Sequence, residues 1–193
     1  VVPGTYPLES HRQKSVEIVP TAYLGPASYF AALCRPDTRI EVMESFEKQT
    51  FRNRCLIHGA QGQAIQMTVP VCKVEHKQLT RDIEISYQMK WQHQHWITLL
   101  SAYGHTPYFA YYADYLHPWY EKQTKYLVDL NDGLSEVIID LINNRQPTGE
   151  KTLLHTTDWS GQIWTDQHKW QKEYSILDLI FASGPETRLK IEK

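Results

Sequence analysis

Two short strand-like runs with a single helix between them constrain this chain more than any other feature. "VEIVPTAY" reads as a strand. "GPASYFAALCR" opens a helix at Gly25 and Pro26, with Tyr29, Phe30 and Leu33 at helical spacing, and "TRIEVMES" is the next strand. A strand, a helix and a strand within about thirty residues call for a right-handed βαβ unit. "CLIHGAQGQAIQMTVPV" follows as two strand-like runs around a glycine-containing turn, the pattern of a hairpin, and "DIEISY" reads as one more strand with a solvated face.

From Trp91 onward the pattern is helical. "WQHQHWITLLSAYG" ends on a glycine, and Thr106 and Pro107 stand as N-cap and first-turn residue of "TPYFAYYADYLHPWYEK". In "LNDGLSEVIIDLINNR", Leu134, Val137, Ile138, Leu141 and Ile142 form an amphipathic stripe. Residues 146–172 are irregular, and "YSILDLIFASGPE" is a short helix stopped by Gly184 and Pro185. Strands first and helices later predict an α/β fold: a mixed sheet with a βαβ-like N-terminal part, followed by a mostly helical C-terminal part. The expected organisation is one domain over 1–193, with a loose arm at 1–14, a sheet-rich part at 15–87 and a mostly helical part at 88–186.

A formal charge of −2 gives no general attraction to phosphate polymers, so nucleic acid is not an expected partner and any anion site must be local. Cys34, Cys55 and Cys72 are odd in number and widely spaced, which fits a reducing compartment. No apolar run approaches the roughly 18 residues of a membrane span, so a cytoplasmic protein without membrane insertion is expected. The absence of G-x-S-x-G, P-loop and G-x-G-x-x-G patterns removes common hydrolase, ATPase and dinucleotide readings, and no cofactor is expected.

The local anion site is sought in "FEKQTFRNRC". Lys48 and Arg52 neighbour each other if this stretch is helical, Arg52 and Arg54 if it is extended. Adjacent guanidinium groups suit phosphate or carboxylate oxygens. The bland alternative is neutralisation by Glu44 and Glu47 in surface ion pairs. His93 and His95, two apart on a helix, point about 200° from each other and cannot share a metal, so no metal is expected. Glu44, ending a strand, and Asp178, inside an apolar helix, are placed where perturbed carboxylates occur. Most aromatic residues between Tyr103 and Tyr120 are expected in packed helix core.

Taken in order, "AYLGPASYF", "IEVMESFEKQTFRNRCLI", "MTVPV", "WQHQHWITLLSAYGHTPYF" and "YSILDLIFASGP" resemble the WbqC-like family, in its Bacteroides-type form, over roughly residues 16 to 186. The resemblance implies a transferase of O-antigen or related surface-polysaccharide synthesis, moving glycine or another acyl group to a nucleotide-linked sugar. In that reading Lys48, Arg52 and Arg54 hold the anion, Gln49 and Asn53 orient it, and Tyr23, Trp91 and Tyr108 complete the ligand contacts. His95 acts as general base at its ordinary pKa, with Glu44 as the other candidate base. The family's opening Ile-His-Gln-Pro-x-Tyr is here Ile-Val-Pro-Thr-Ala-Tyr from Ile18 to Tyr23. Loss of that His-Gln pair favours the alternative, a non-catalytic nucleotide-sugar-binding or scaffold protein of the same pathway. A third reading makes the aromatic helices a homo-oligomer interface.

Overall fold

A computed structural model describes residues 16–148, 152–156 and 173–192; the arm expected at 1–14 and much of the irregular stretch at 146–172 lie outside the described residues. Strands β1 (Glu17–Pro20) and β2 (Thr38–Glu41) run parallel, in register from Glu17 opposite Thr38 to Pro20 opposite Glu41. Helix α1 (Ala27–Leu33) makes the crossover and buries Tyr29, Phe30 and Ala32, so the βαβ unit forms as its spacing predicts. The other edge of β2 is covered: the Ile40 N–H donates to Leu154 O at 2.7 Å and the Thr156 N–H to Ile40 O at 2.9 Å.

The hairpin forms as well. Strands β3 (Arg54–His58) and β4 (Ala64–Thr68) pair antiparallel, and Gly62 takes a φ of 79° in the turn, where a side chain would be strained. Parallel and antiparallel pairing thus coexist, as two two-stranded ladders. "DIEISY" departs from expectation. Its start belongs to a 3₁₀ turn (Thr80–Asp82), and Glu84 and Ile85 make only isolated bridges to Tyr126 and Val71. The Ser86 N–H bonds to Pro70 O at 2.9 Å, but Pro70 has no N–H to return, so the ladder stops there.

Helix α2 (Trp91–Tyr103) ends at Gly104, whose N–H reaches Leu100 O. The next segment is two helices where one was expected. Thr106 Oγ1 donates back to Tyr103 O at 2.6 Å, so it does not cap forward; α3 (Phe109–Leu116) starts later, and Pro118 opens the short α4 (Pro118–Glu121). Helix α5 (Leu127–Ile142) carries the expected apolar stripe, yet Asn131, Asp132, Ser135 and Glu136 are buried too. The helix packs against α1, α3, α4 and the 3₁₀ turns at Thr80–Asp82 and Gly184–Glu186, which leaves Asp129 as its one exposed residue. Its polar side chains therefore bond inside the protein, as where Asn131 Nδ2 donates to Thr21 Oγ1 at 3.1 Å and Glu136 accepts the Thr152 N–H at 2.9 Å. Helices α6 (Leu177–Ser183) and α7 (Thr187–Ile191) close the chain, separated at Gly184 with φ 49°. No described helix is long and apolar enough to cross a membrane.

One glycine of α5 is fixed by packing. A Cβ on Gly133 would lie 1.7 Å from Cη2 of Trp119. In an open helix, alanine would gain about 1 kcal/mol over glycine. Here Gly133→Ala is expected to destabilise by about 1–3 kcal/mol through overpacking. Urea unfolding measures it, and an unchanged midpoint would show the indole moving aside freely.

Candidate functional site

The polar cluster is neither helix nor strand along its length; residues 48–53 form turns that lead into β3. The core anchors them. The Tyr23 N–H donates to Phe51 O at 2.9 Å, and Asn131 Nδ2 to Arg52 O at 2.9 Å. This anchoring sorts the cluster into an inner and an outer set.

Arg52 belongs to the inner set. It is 1% exposed, and its guanidinium pairs with Glu44, itself 5% exposed, with Nε donating to Oε1 at 2.5 Å and Nη1 to Thr50 Oγ1 at 3.2 Å. Glu47, the other carboxylate, is 4.0 Å away. The anion that Arg52 holds is therefore the protein's own, in a buried pair and not on the surface. Burial pushes the Glu44 carboxyl above its ordinary range while Arg52 pulls it back. Asn53 is also internal: Nδ2 donates to Val69 O at 3.0 Å and Asn53 O accepts the Val69 N–H at 2.8 Å, which adds a rung to the hairpin.

His95 lies in a second internal network. Its Nδ1 is 2.8 Å from Tyr23 Oη, which is 3.0 Å from Tyr120 Oη. The Tyr23 hydroxyl thus joins His95 and Tyr120 in one buried chain, and the ring also meets the Thr68 backbone. Trp91 packs edge-on against the imidazole at 5.1 Å. Burial lowers the His95 pKa to about 4, with the Thr68 contact opposing the shift. Titration near neutrality, expected of His95, is thereby lost. His93 faces solvent while His95 is buried, so the two point apart as helix geometry requires. Tyr108 is elsewhere again, at the start of α3, with its ring over Gly184.

The outer set is Lys48, Gln49 and Arg54. Lys48 is exposed, whereas Gln49 and Arg54 line a cavity of about 220 Å³. Along β3, Cys55 and Ile57 face the core, and Arg54, Leu56 and His58 face outward, as strand alternation dictates. The cavity lies on that outer face, with Gln66 of β4 beside Leu56. Its far wall is Glu173 and Ser175, held on the hairpin by the Ser175 N–H to Leu56 O at 2.7 Å. Glu173 Oε2 accepts from Ser28 Oγ at 2.6 Å. Among the described residues Arg54 makes no ion pair, and its buried Nε has no hydrogen-bond partner. Leu24 and Gln49, which also line the cavity, hold positive φ values of 47° and 65°. Such strain in non-glycine residues collects at ligand sites.

A family model for the WbqC-like protein family matches residues 21–159. The chain belongs to this family. No curated protein and no solved structure matches it. Within this WbqC-like chain the match contains the polar cluster, the hairpin and α2, and it ends before Glu173 and Ser175 complete the cavity wall. Within the polar cluster the structure places Arg52 inside, paired with Glu44, and Arg54 at the cavity. Nothing in residue spacing tells an inward Arg52 from an outward Arg54. A further group was missed altogether: His58, on the same outer face, pairs with Asp178 across 120 residues.

Proposed function

We propose that this WbqC-like protein is a transferase acting on a phosphate-bearing sugar, of the nucleotide-linked kind that supplies surface-polysaccharide synthesis in the cytoplasm. The observation that supports this is Arg54: a guanidinium without an ion-pair partner among the described residues, at a cavity that also presents Gln49, Gln66 and Glu173. An arginine fork suits phosphate oxygens, amides suit ring hydroxyls, and a carboxylate suits a hydroxyl or amine at the far end. A second cavity, of about 370 Å³, is lined by Asp114, Asp129, Glu136 and Asp140 with Lys122, a charge balance that repels phosphate.

Thermal shift against UDP-sugars and free nucleotides tests the reading. A ligand at a hundred times its Kd stabilises by about 2.7 kcal/mol, which raises Tm by roughly 5–10 °C for a chain of this size. Arg54→Ala is expected to abolish that shift while leaving the ligand-free Tm nearly unchanged. A shift that survives in Arg54→Ala places the ligand elsewhere. A non-catalytic, sugar-binding role is the second reading. It draws on the two bases expected from sequence, His95 and Glu44, both of which are held by internal partners. Binding without turnover would support it.

A further inference from the structure

The transferase reading lacks a base, and the outer face of the hairpin supplies one. His58, 46% exposed, lies two residues beyond Leu56 on the strand that lines the cavity. Its Nδ1 is 3.0 Å from Asp178 Oδ2. Asp178 Oδ1 accepts the Tyr103 hydroxyl at 2.7 Å and the His58 N–H at 3.3 Å. Three donors from β3 and α2 thus converge on one carboxylate of α6. Tyr103 stays protonated, since burial and the Asp178 charge push its pKa up. The His58 ring is stacked on Tyr174 at 3.5 Å between centroids and 16° between planes. Tyr174 stands between Glu173 and Ser175, the two residues of the cavity wall. A carboxylate only accepts hydrogen bonds, so Nδ1 donates to Asp178, and in the neutral ring the lone pair is then on Nε2. Orientation by a carboxylate, a fixed tautomer and an available Nε2 are the parts of a general base.

We propose that His58, oriented by Asp178 and Tyr103, is the base that activates the acceptor group of the sugar phosphate bound at Arg54. The proposal rests on the transferase reading given above and adds the site of proton transfer. Arg54 and His58 share one outward strand face about 13 Å apart along the backbone, and Leu56, which lines the cavity, stands between them. In the step, Nε2 takes the proton of a sugar amine or hydroxyl as its nitrogen or oxygen bonds to the carbonyl carbon of an acyl thioester. The proton then passes to sulfur as the C–S bond breaks. The imidazole returns to neutral, the products are an amide or ester and a thiol, and nothing is oxidised or reduced.

Carbethoxylation by diethyl pyrocarbonate, read at each histidine by peptide mass spectrometry at about pH 8, tests the dyad within one protein. His93 and His105 are exposed and serve as internal standards. His58 is expected to react about tenfold faster than either, as an oriented imidazole with an available Nε2 should. Asp178→Asn puts an amide N–H against Nδ1, forces the proton to Nε2 and should bring His58 down to the standards. The wild-type comparison stands even if that variant fails to fold. A His58 no faster than His93 and His105, or unaffected in folded Asp178→Asn, overturns the base. Inorganic pyrophosphate separates the two readings: a thermal shift that Arg54→Ala removes keeps the anion cavity whether or not His58 is reactive. A reactive His58 in a protein that pyrophosphate does not stabilise overturns the cavity and the sugar-phosphate acceptor with it.

Discussion

Arg52→Ala is expected to destabilise the fold by about 3–5 kcal/mol, the loss typical when one member of a buried ion pair is removed. The reason is what remains behind. Glu44, 5% exposed, would keep a carboxyl with neither the Arg52 charge nor its hydrogen bonds, and Thr50 Oγ1 would lose a donor. Urea unfolding should show a lower midpoint with little change in slope. Replacing the pair together, Arg52→Met with Glu44→Leu, should recover much of the loss, because no charge is then stranded in the interior. If Arg52→Ala instead keeps its midpoint and loses only the ligand-induced thermal shift, Arg52 serves the ligand and the structural account of it fails. The contrast with Arg54→Ala makes the experiment informative: two arginines two residues apart should separate cleanly, one acting on folding and the other on binding.

The second large effect is on acid stability. The His95 pKa falls from an ordinary 6.5 to about 4 in the folded protein. The native imidazole thus stays neutral where the unfolded one takes up a proton. Between those values the unfolded state binds more protons, so stability is full above about pH 6.5 and drains away as pH falls toward 4. The integrated loss is on the order of 3 kcal/mol by about pH 4. Glu44 works in the opposite direction, because a carboxyl raised by burial takes up protons more readily folded than unfolded. The difference between wild type and His95→Gln therefore isolates the histidine. At pH 7.5 the variant should be the less stable, having lost part of the Tyr23 and Thr68 contacts; the gap should close as pH falls. A gap independent of pH would show that the imidazole is free to ionise in the folded state.

These two expectations mark where sequence reasoning succeeds and where it stops. The βαβ unit, the hairpin and the glycine that ends α2 are legible because each is settled by residues within a few positions of one another. Pro70 and Pro118 were equally local signals, and they account for the shortened ladder and the split helix. Burial is not local. Arg52 and Glu44 are eight residues apart and visible as a pair, but the helix that covers them, α5, lies far along the chain. The same limit made His95 look like a base with an ordinary pKa. Asp178 could be singled out as a carboxylate in an apolar helix, but its partners His58 and Tyr103 are chosen by tertiary packing alone.

The way the cavity is closed also sets when, during synthesis, it can first form. Its floor comes from residues near 25, 50 and 55, and its last wall from Glu173 and Ser175, tied back by Ser175 to Leu56 and by Ile176 to Gly25. A nascent chain emerging from the ribosome can complete the βαβ helix, the hairpin and α2 long before that wall exists. A ligand held in this cavity, as proposed above, would therefore stabilise the completed fold and not the early steps of folding. Ribosome-stalled chains ending before Glu173 would emerge with the cavity open and the outer edge of β3 uncovered, so one late segment both seals the hairpin and completes the cavity.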